Sequence, residues 1–190
     1  MRLVVGITGA SGAIYGVRLL EALRGYPEVE TYLIVSDRAE EILLQETGYT
    51  RPAVQALASH CFANDDLGAP IASGSFRTDA MVVAPCSIKT LSALAHSYSD
   101  TLIARAGDVA LKERRRLILL VRETPLHVGH LRLMLALAEL GAVILPPVPA
   151  FYTHPANIDD LVNHTIGRVL DQLGLTHNLY KPWTGWSDHG

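Results

Sequence analysis

Two segments of the sequence carry residue types that bind phosphate groups. Residues 8–12 (TGASG) combine hydroxyls with small residues that let the backbone approach a ligand closely. Residues 85–90 (PCSIKT) supply hydroxyls, a lysine and backbone N–H groups. At the start of a helix, such a segment offers free N–H groups to a phosphate or a flavin. The alternatives are a tight turn with Ser11 as a cap and a helix capped by Ser87.

Charged residues follow two further apolar runs. Arg122 and Glu123 come directly after such a run, so their charges stand where ligands bind in parallel sheets. Ser36 ends an earlier run, and Asp37 follows it. A dinucleotide site needs an acidic residue there for the ribose, but Asp37 is equally suited to be a helix N-cap. The weak acidic signal favours a mononucleotide such as FMN over NAD.

Other candidates are weaker when each is taken alone. Arg105, Asp108 and Lys112 share one face of a predicted helix, a pattern that usually indicates solvated charge. Arg168 stands on an otherwise apolar helix, as a surface or interface charge would. Residues 72–75 (ASGS) have the small polar side chains of a loop that wraps an anion or of a plain surface loop.

Strand and helix patterns alternate along the chain and must position these residues. Apolar runs predict strands at residues 2–8, 31–35, 81–84, 117–121 and 143–145. Helical spacing predicts helices at residues 14–23, from 37, and at 87–95, 127–140 and 159–173. The strands are apolar throughout, so helices must cover both faces of the sheet. The order predicts an α/β fold with a doubly wound, mostly parallel sheet, a Rossmann- or flavodoxin-like three-layer sandwich.

Composition limits the class of protein. The 190 residues predict one domain over residues 1–180 and a C-terminal tail at 181–190, and the 49% hydrophobic content indicates apolar surface buried between subunits. The net charge of -3 argues against nucleic-acid binding. The sequence has neither a membrane-spanning run nor a cleavable signal, so we expect a cytoplasmic protein. Cys61 and Cys86 lie outside any CxxC and are expected to be reduced, mostly buried thiols.

Together the segments resemble the flavin prenyltransferase family of the UbiX type. The matching pieces, in the family's order, are GITGASGAIYGVRLL, SGSF, PCSIKTLS, ARAGDVALKERR, VRETPLHVGHLRLM, GAVILPPVPAFY and GRVLDQLG. The combination is far more specific than any one motif. The resemblance implies transfer of a dimethylallyl group from dimethylallyl phosphate to N5 and C6 of reduced FMN. It also implies that the product, prenylated FMN, serves a UbiD-type decarboxylase, often in ubiquinone synthesis.

The resemblance assigns residues to this reaction. It implies FMN contacts from Gly9, Ala10, Ser11, Ser36, Ser87, Ile88, Lys89, Thr90 and Arg122. It implies dimethylallyl phosphate contacts from Ser73, Gly74, Arg105, Lys112, Tyr152 and Arg168. The catalytic candidates are Ser11, Glu46, Lys112 and Glu123. Where some members have a tryptophan before the ASGS loop, this chain has Leu67, so an aromatic wall against the prenyl group is lost or supplied from elsewhere.

The implied reaction has definite physical requirements. Arg105, Lys112 and Arg168 are suited to stabilise the departing phosphate, and the pocket must exclude water from the allylic cation. Glu123 or the released phosphate is suited to take the C6 proton. The sequence has no DDxxD metal motif, which fits a metal-free reaction. The family forms dodecamers, so we expect Tyr152 and Arg168 to close a site whose FMN is held mainly by another subunit.

Two other functions fit the same fold. An FMN-dependent decarboxylase of the peptidyl-cysteine type would have a catalytic histidine and a PxMNxxMW stretch, and the sequence lacks that stretch. A non-catalytic FMN-binding subunit of a decarboxylase would have no use for the full set of phosphate-binding residues.

Overall fold

A parallel sheet forms the centre of the fold in the computed structural model, which describes residues 1–185. Its strands are β1 (Arg2–Ile7), β2 (Glu30–Val35), β3 (His60–Phe62), β4 (Ala80–Cys86), β5 (Arg116–Val121) and β6 (Val143–Ile144). They lie in the order β3-β2-β1-β4-β5-β6, and each neighbouring pair is parallel. The chain therefore reverses its direction across the sheet between β1 and β4. This arrangement confirms the predicted α/β fold with a doubly wound sheet.

Helices cover both faces of the sheet. The helices are α1 (Ala13–Leu23), α2 (Asp37–Thr47), α3 (Arg51–Gln55), α4 (Ile88–Ala95), α5 (Leu102–Lys112), α6 (Val128–Glu139) and α7 (Ile158–Leu173). On one face α4, α5 and α6 share a core with the strands, in which Leu91, Ile103 and Leu137 are buried. On the other face α1 packs against β1 and β4. Because both faces are covered, the strands are apolar in nearly every position.

The chain forms two compact units, Met1–Pro147 and the part that begins at Val148. The first unit contains the sheet, and the second contains α7. A single domain over residues 1–180 stays a prediction. Residues 186–190 of the predicted tail lie outside the described residues. No helix within residues 1–185 is long and apolar enough to span a membrane.

Sequence patterns do not predict β3 and α3, because both are short. β3 has three residues at the edge of the sheet, and its first two side chains are exposed, so no apolar run marks it. Cys61 lies in this strand and is exposed, so the expectation of two mostly buried thiols is wrong for Cys61. Cys86 ends the central strand β4 and is buried, and both thiols are free.

Gly16 lets α1 pack directly against the end of β4. A Cβ atom at this position would overlap the carbonyl oxygen of Ala84 and lie 2.8 Å from the side chain of Ile7. A mid-helix glycine replaced by alanine ordinarily gains about 0.5–1 kcal/mol of stability. Here overpacking against a backbone atom, which costs about 1–3 kcal/mol, should exceed that gain. We therefore expect Gly16→Ala to lower the midpoint of thermal unfolding.

Gly107→Ala is the matched control for this prediction. Its Cβ atom would overlap a terminal methyl group of the buried Leu94, whereas at Gly16 it would overlap a backbone carbonyl oxygen, and a side chain shifts at lower cost than the backbone. The fall in the unfolding midpoint should therefore be smaller than for Gly16→Ala. A Gly16→Ala protein that unfolds at or above the wild-type temperature would contradict the packing argument.

Candidate functional site

A cavity of about 450 Å³ opens at the carboxyl ends of the strands, where the sheet reverses. Its walls include residues 8–11, 36–38, 87–90 and 122–123, together with residues at the start of α5. The volume suits a small-molecule ligand. Every residue that the resemblance assigns to FMN lines this one cavity. The strand ends therefore converge as predicted, although the FMN contacts themselves stay predictions.

Thr8 joins the two turns that form the floor of the cavity. Its hydroxyl donates to the carbonyl oxygen of Pro85 at 2.7 Å and accepts from the N–H of Ser87 at 2.8 Å. The residue is 1% exposed, so both bonds are protected from water. The end of β1 and the start of α4 are thereby held at a fixed distance. The sequence alone indicates only that Thr8 belongs to a glycine-rich turn.

Glu46 caps the start of α1. Its Oε2 accepts from the N–H groups of Gly12 and Ala13 at 2.7 and 3.0 Å, so these groups are not free for a phosphate. The alternative of Ser11 as the cap is also wrong, because the N-cap residue is Gly12. Burial would raise the pKa of Glu46, but hydrogen bonds from Ser11, Gly12 and Ala13 outweigh burial and lower it. Glu46 is thus an ionised carboxylate that holds Ser11 at the cavity wall.

Ser36 has the features of a phosphate-binding residue. It is the N-cap of α2, but its hydroxyl caps no N–H group, and its buried Oγ has no hydrogen-bond partner. Asp37 is therefore not the cap; it begins the helix and pairs with Arg51 at 3.6 Å. A Cβ atom on Gly9 would lie 2.6 Å from the Cβ of Arg38, so glycine lets the first turn lie against the start of α2. An unpaired hydroxyl beside helix N–H groups fits the phosphate of FMN.

The remaining cavity residues follow β4 and β5. Ser87 caps α4 as predicted, accepting from the N–H of Thr90 at 3.3 Å, and it lines the cavity as well. Arg122 and Glu123 also line the cavity, as their place after β5 predicts. Glu123 accepts only from its neighbour Thr124 among the described residues, so its second carboxylate oxygen is available.

The residues assigned to dimethylallyl phosphate in the first unit meet at another place. We call residues 72–76 the donor loop. Arg105 Nε donates to the carbonyl oxygen of Ala72 at 3.0 Å, and its Nη1 pairs with Asp108 at 2.9 Å. A Cβ atom on Gly74 would lie 2.7 Å from Nζ of Lys112. Arg105 is therefore tied to the donor loop, and the interpretation of this helix face as solvated charge is wrong for Arg105.

Arg115 also holds the donor loop. Its guanidinium donates to the carbonyl oxygens of Gly74 at 2.6 Å and Phe76 at 3.1 Å, and to the hydroxyl of Thr78 at 3.1 Å. The turn after α5 presents this side chain, because Arg114 takes a left-handed conformation with φ 54°. The sequence alone does not indicate this role, since the charged run around Arg115 is typical of a solvated surface.

The donor loop and the cavity contact different residues of α5. Lys112 is eight residues beyond Ala104, a cavity residue, and this spacing corresponds to about 12 Å along a helix. Ser73, Gly74, Arg105 and Lys112 are not among the cavity-lining residues of the described chain. One copy of this unit therefore does not bring the two sets of predicted site residues into one cavity.

The second unit contains the last two predicted donor residues. The hydroxyl of Tyr152 is 3.1 Å from Nε2 of His164, and Arg168 pairs with Asp171 at 2.7 Å. Leu67, at the position of the missing tryptophan, is exposed in the first unit. Within residues 1–185 no group of three or more histidine, cysteine, aspartate or glutamate side chains could hold a metal ion.

Comparisons with known proteins identify the family. The family described as Flavoprotein matches residues 1–170. The chain is 57% identical over 186 residues to the flavin prenyltransferase UbiX of Escherichia coli K12, covering 97% of this chain and 98% of the relative. It is also similar to AnUbiX (PadA1), solved in complex with FMN and dimethylallyl pyrophosphate. The identity to that structure is 49%, the TM-score is 0.95, and 98% of both chains is covered.

A second solved structure is a dodecameric FMN-dependent UbiX-like decarboxylase from Escherichia coli O157:H7. It shares 51% identity and a TM-score of 0.96, with 97% of this chain and 100% of that chain covered. Family match, identity and coverage all extend over the two compact units. The chain therefore belongs to the flavin prenyltransferase family of UbiX-type flavoproteins.

Proposed function

We propose that this chain transfers a dimethylallyl group from dimethylallyl phosphate to N5 and C6 of reduced FMN. The observation that carries the proposal is the cavity at the switch point of the sheet, whose walls contain every residue assigned to FMN. The identity to the Escherichia coli prenyltransferase supports the same reaction. A relative solved with FMN and a dimethylallyl ester supports both substrates.

FMN would be held by three turns of the first unit. The phosphate lies near Ser36, whose buried hydroxyl has no other partner, and the start of α2 provides N–H groups. The turn with Gly9 and the start of α4 line the rest of the flavin, and Arg122 approaches it from beside Gly12. When bound, the reduced flavin supplies the nucleophilic nitrogen and carbon that receive the prenyl group.

Side chains of the protein bind the departing phosphate and accept the proton that the flavin loses. Arg105, Lys112 and Arg168 carry the positive charge that the departing phosphate needs, and no metal is required. Glu123 accepts the proton that leaves flavin C6, through the carboxylate oxygen that its neighbour does not use. Ser11 contacts the flavin, and Glu46 acts behind it by fixing the direction of the Ser11 hydroxyl.

The complete site is shared between subunits. Within one copy Ser73, Gly74, Arg105 and Lys112 do not line the cavity that contains the residues assigned to FMN, so we propose that a neighbouring copy supplies one of the two sets. Val128, Leu131 and Leu135 support assembly, because they are 61%, 51% and 58% exposed and share one face of α6. A dodecamer, described for one similar structure, is the assembly we propose.

The product would pass to a UbiD-type decarboxylase, and we propose that the protein acts in the cytoplasm. A decarboxylase activity of the chain itself is the second candidate, because one similar structure is described as a UbiX-like decarboxylase. A non-catalytic FMN-binding subunit is the third. Anaerobic incubation with reduced FMN and dimethylallyl phosphate, followed by mass spectrometry of the flavin, separates the three. Only the transferase adds one prenyl unit, and unmodified flavin would refute the proposal.

Glu123→Gln should slow this assay strongly. We expect formation of prenylated flavin to fall roughly 100-fold or more, because general-base catalysis contributes about 10²–10⁴-fold. FMN affinity should change by less than about threefold, since the two side chains have the same shape. Glu41→Gln, an exposed carboxylate on α2, is the control with the same charge change. Wild-type rates in Glu123→Gln would remove this residue from the mechanism.

Ser36→Ala should weaken FMN binding through the phosphate alone. We expect the dissociation constant for FMN to rise roughly tenfold, because a hydrogen bond to a charged group contributes about 1.5–3 kcal/mol. Riboflavin, which lacks the phosphate, should bind wild type and Ser36→Ala equally. Fluorescence titration with both flavins measures the difference. Equal weakening of FMN and riboflavin would place the phosphate elsewhere.

A shared site should allow two inactive variants to complement each other. Lys112→Ala disables the donor side and Glu123→Gln the flavin side, so neither variant alone should show much activity. Mixed oligomers contain some sites built from two intact sides, and these should regain measurable activity. Exchange of subunits is checked by mass spectrometry of differently tagged chains. Exchanged oligomers without regained activity would mean that each site lies within one chain.

A further inference from the structure

Arg168 is held by a network within the second unit. Its Nη1 donates to Oδ2 of Asp171 at 2.7 Å and to the hydroxyl of Tyr180 at 3.1 Å. Asp171 lies one turn further along α7, whereas Tyr180 belongs to the segment that follows the helix. We call residues 175–180 the C-terminal strap. A salt bridge on an exposed helix face ordinarily contributes little to stability. The pair of Arg168 and Asp171 differs from such a bridge because the strap adds hydrogen bonds to both side chains.

The strap bonds to the same carboxylate that pairs with Arg168. Tyr180 donates to Oδ2 of Asp171 at 2.6 Å, and Nε2 of His177 lies 3.0 Å from Oδ1. Nδ1 of His177 accepts from the N–H of Leu179, so Nε2 carries the proton and donates to Asp171. Burial would raise the pKa of Asp171, but the bonds from Tyr180 and His177 outweigh burial and lower it. Asp171 therefore stays ionised and keeps both oxygens occupied.

Gly167 lets the strap lie directly on α7. A Cβ atom at this position would lie 2.5 Å from the ring of Tyr180 and 2.7 Å from that of His177. The ring of Tyr180 also packs on His164 at 4.6 Å between centroids, and His164 is hydrogen-bonded to Tyr152. Tyr180 thus contacts both the partner of Tyr152 and the side chain of Arg168. The two donor residues of this unit are linked through one strap residue.

We propose that Tyr180 and Asp171 are positioning residues that hold Arg168 for the phosphate of the donor. Both hydrogens of Nη1 are used by Asp171 and Tyr180, and within residues 1–185 no hydrogen bond involves Nη2 or Nε. That edge of the guanidinium is the one that binds a phosphate through two parallel bonds. Holding the opposite edge removes rotamer freedom that binding would otherwise have to remove. The proposal rests on the proposed function, because it takes Arg168 as a donor ligand.

Tyr180→Phe tests the proposal, because it keeps the ring on Gly167 and removes only the hydroxyl. Calorimetry on protein loaded with oxidised FMN measures dimethylallyl phosphate binding without turnover. We expect the dissociation constant of the donor to rise roughly tenfold. FMN affinity should stay at the wild-type value, whereas loss of the hydrogen bonds to Asp171 and Arg168 should lower the unfolding midpoint slightly. Tyr98→Phe, at a tyrosine that is 64% exposed, is the control and should change none of these quantities.

A double-mutant cycle distinguishes positioning from a general structural role. An Arg168→Lys variant lacks the guanidinium edge that Tyr180 positions, so adding Tyr180→Phe to it should weaken donor binding no further. An equal weakening in both backgrounds, or unchanged donor binding in Tyr180→Phe, would overturn the proposal. A fall in FMN affinity of Tyr180→Phe would also overturn it. Failure of the wild type to bind the donor or to form prenylated flavin would instead refute the proposed function.

Discussion

The hydrogen bonds of one buried hydroxyl set the geometry of the cavity at the carboxyl ends of the strands. Thr8 stands where the strand order reverses, and it bonds to both sides of the turn after β4. In a doubly wound sheet the crevice at this point exists because neighbouring crossovers leave in opposite directions. The crevice is useful only if its two sides keep a constant separation. Thr8 provides that constraint. The cavity-lining turns at residues 8–11 and 87–90 begin at the residues that it joins, and those at 36–38 and 122–123 contact these turns.

The carboxylate of Glu46 occupies the helix start at which related folds bind the phosphate of a ligand. A helix that follows the first strand of a doubly wound sheet ordinarily offers its N–H groups to an anion. Here Glu46 takes them, which converts that helix start from a ligand site into a support for Ser11. The free N–H groups and the unpaired hydroxyl are found one helix later, at Ser36. This shift explains why the first turn lacks the usual glycine order of a dinucleotide site.

Local hydrophobic patterns predict the fold and the residues that line the cavity, because apolar runs mark the strands and the cavity lies where these strands end. An apolar run ending at Val121 places Arg122 and Glu123 at the edge of the sheet without knowledge of any side-chain contact. The role of Arg115 could not be predicted, since its partners Gly74 and Phe76 lie 41 and 39 residues away. The contacts of Tyr180 with α7 depend in the same way on how the chain returns after the helix. Residue types alone do not reveal such pairings.

The hydrogen bonds from Arg105 and Arg115 to the donor loop restrict which mutations this loop can accept. Arg105 and Arg115 project from α5 and from the turn after it, and together they bind the carbonyl oxygens of residues 72, 74 and 76. One inserted residue would move at least one of these oxygens about 3.3 Å or more away from its guanidinium. Side chains in the loop can vary, but its length cannot. Redesign of this loop should therefore rely on substitution and avoid insertion.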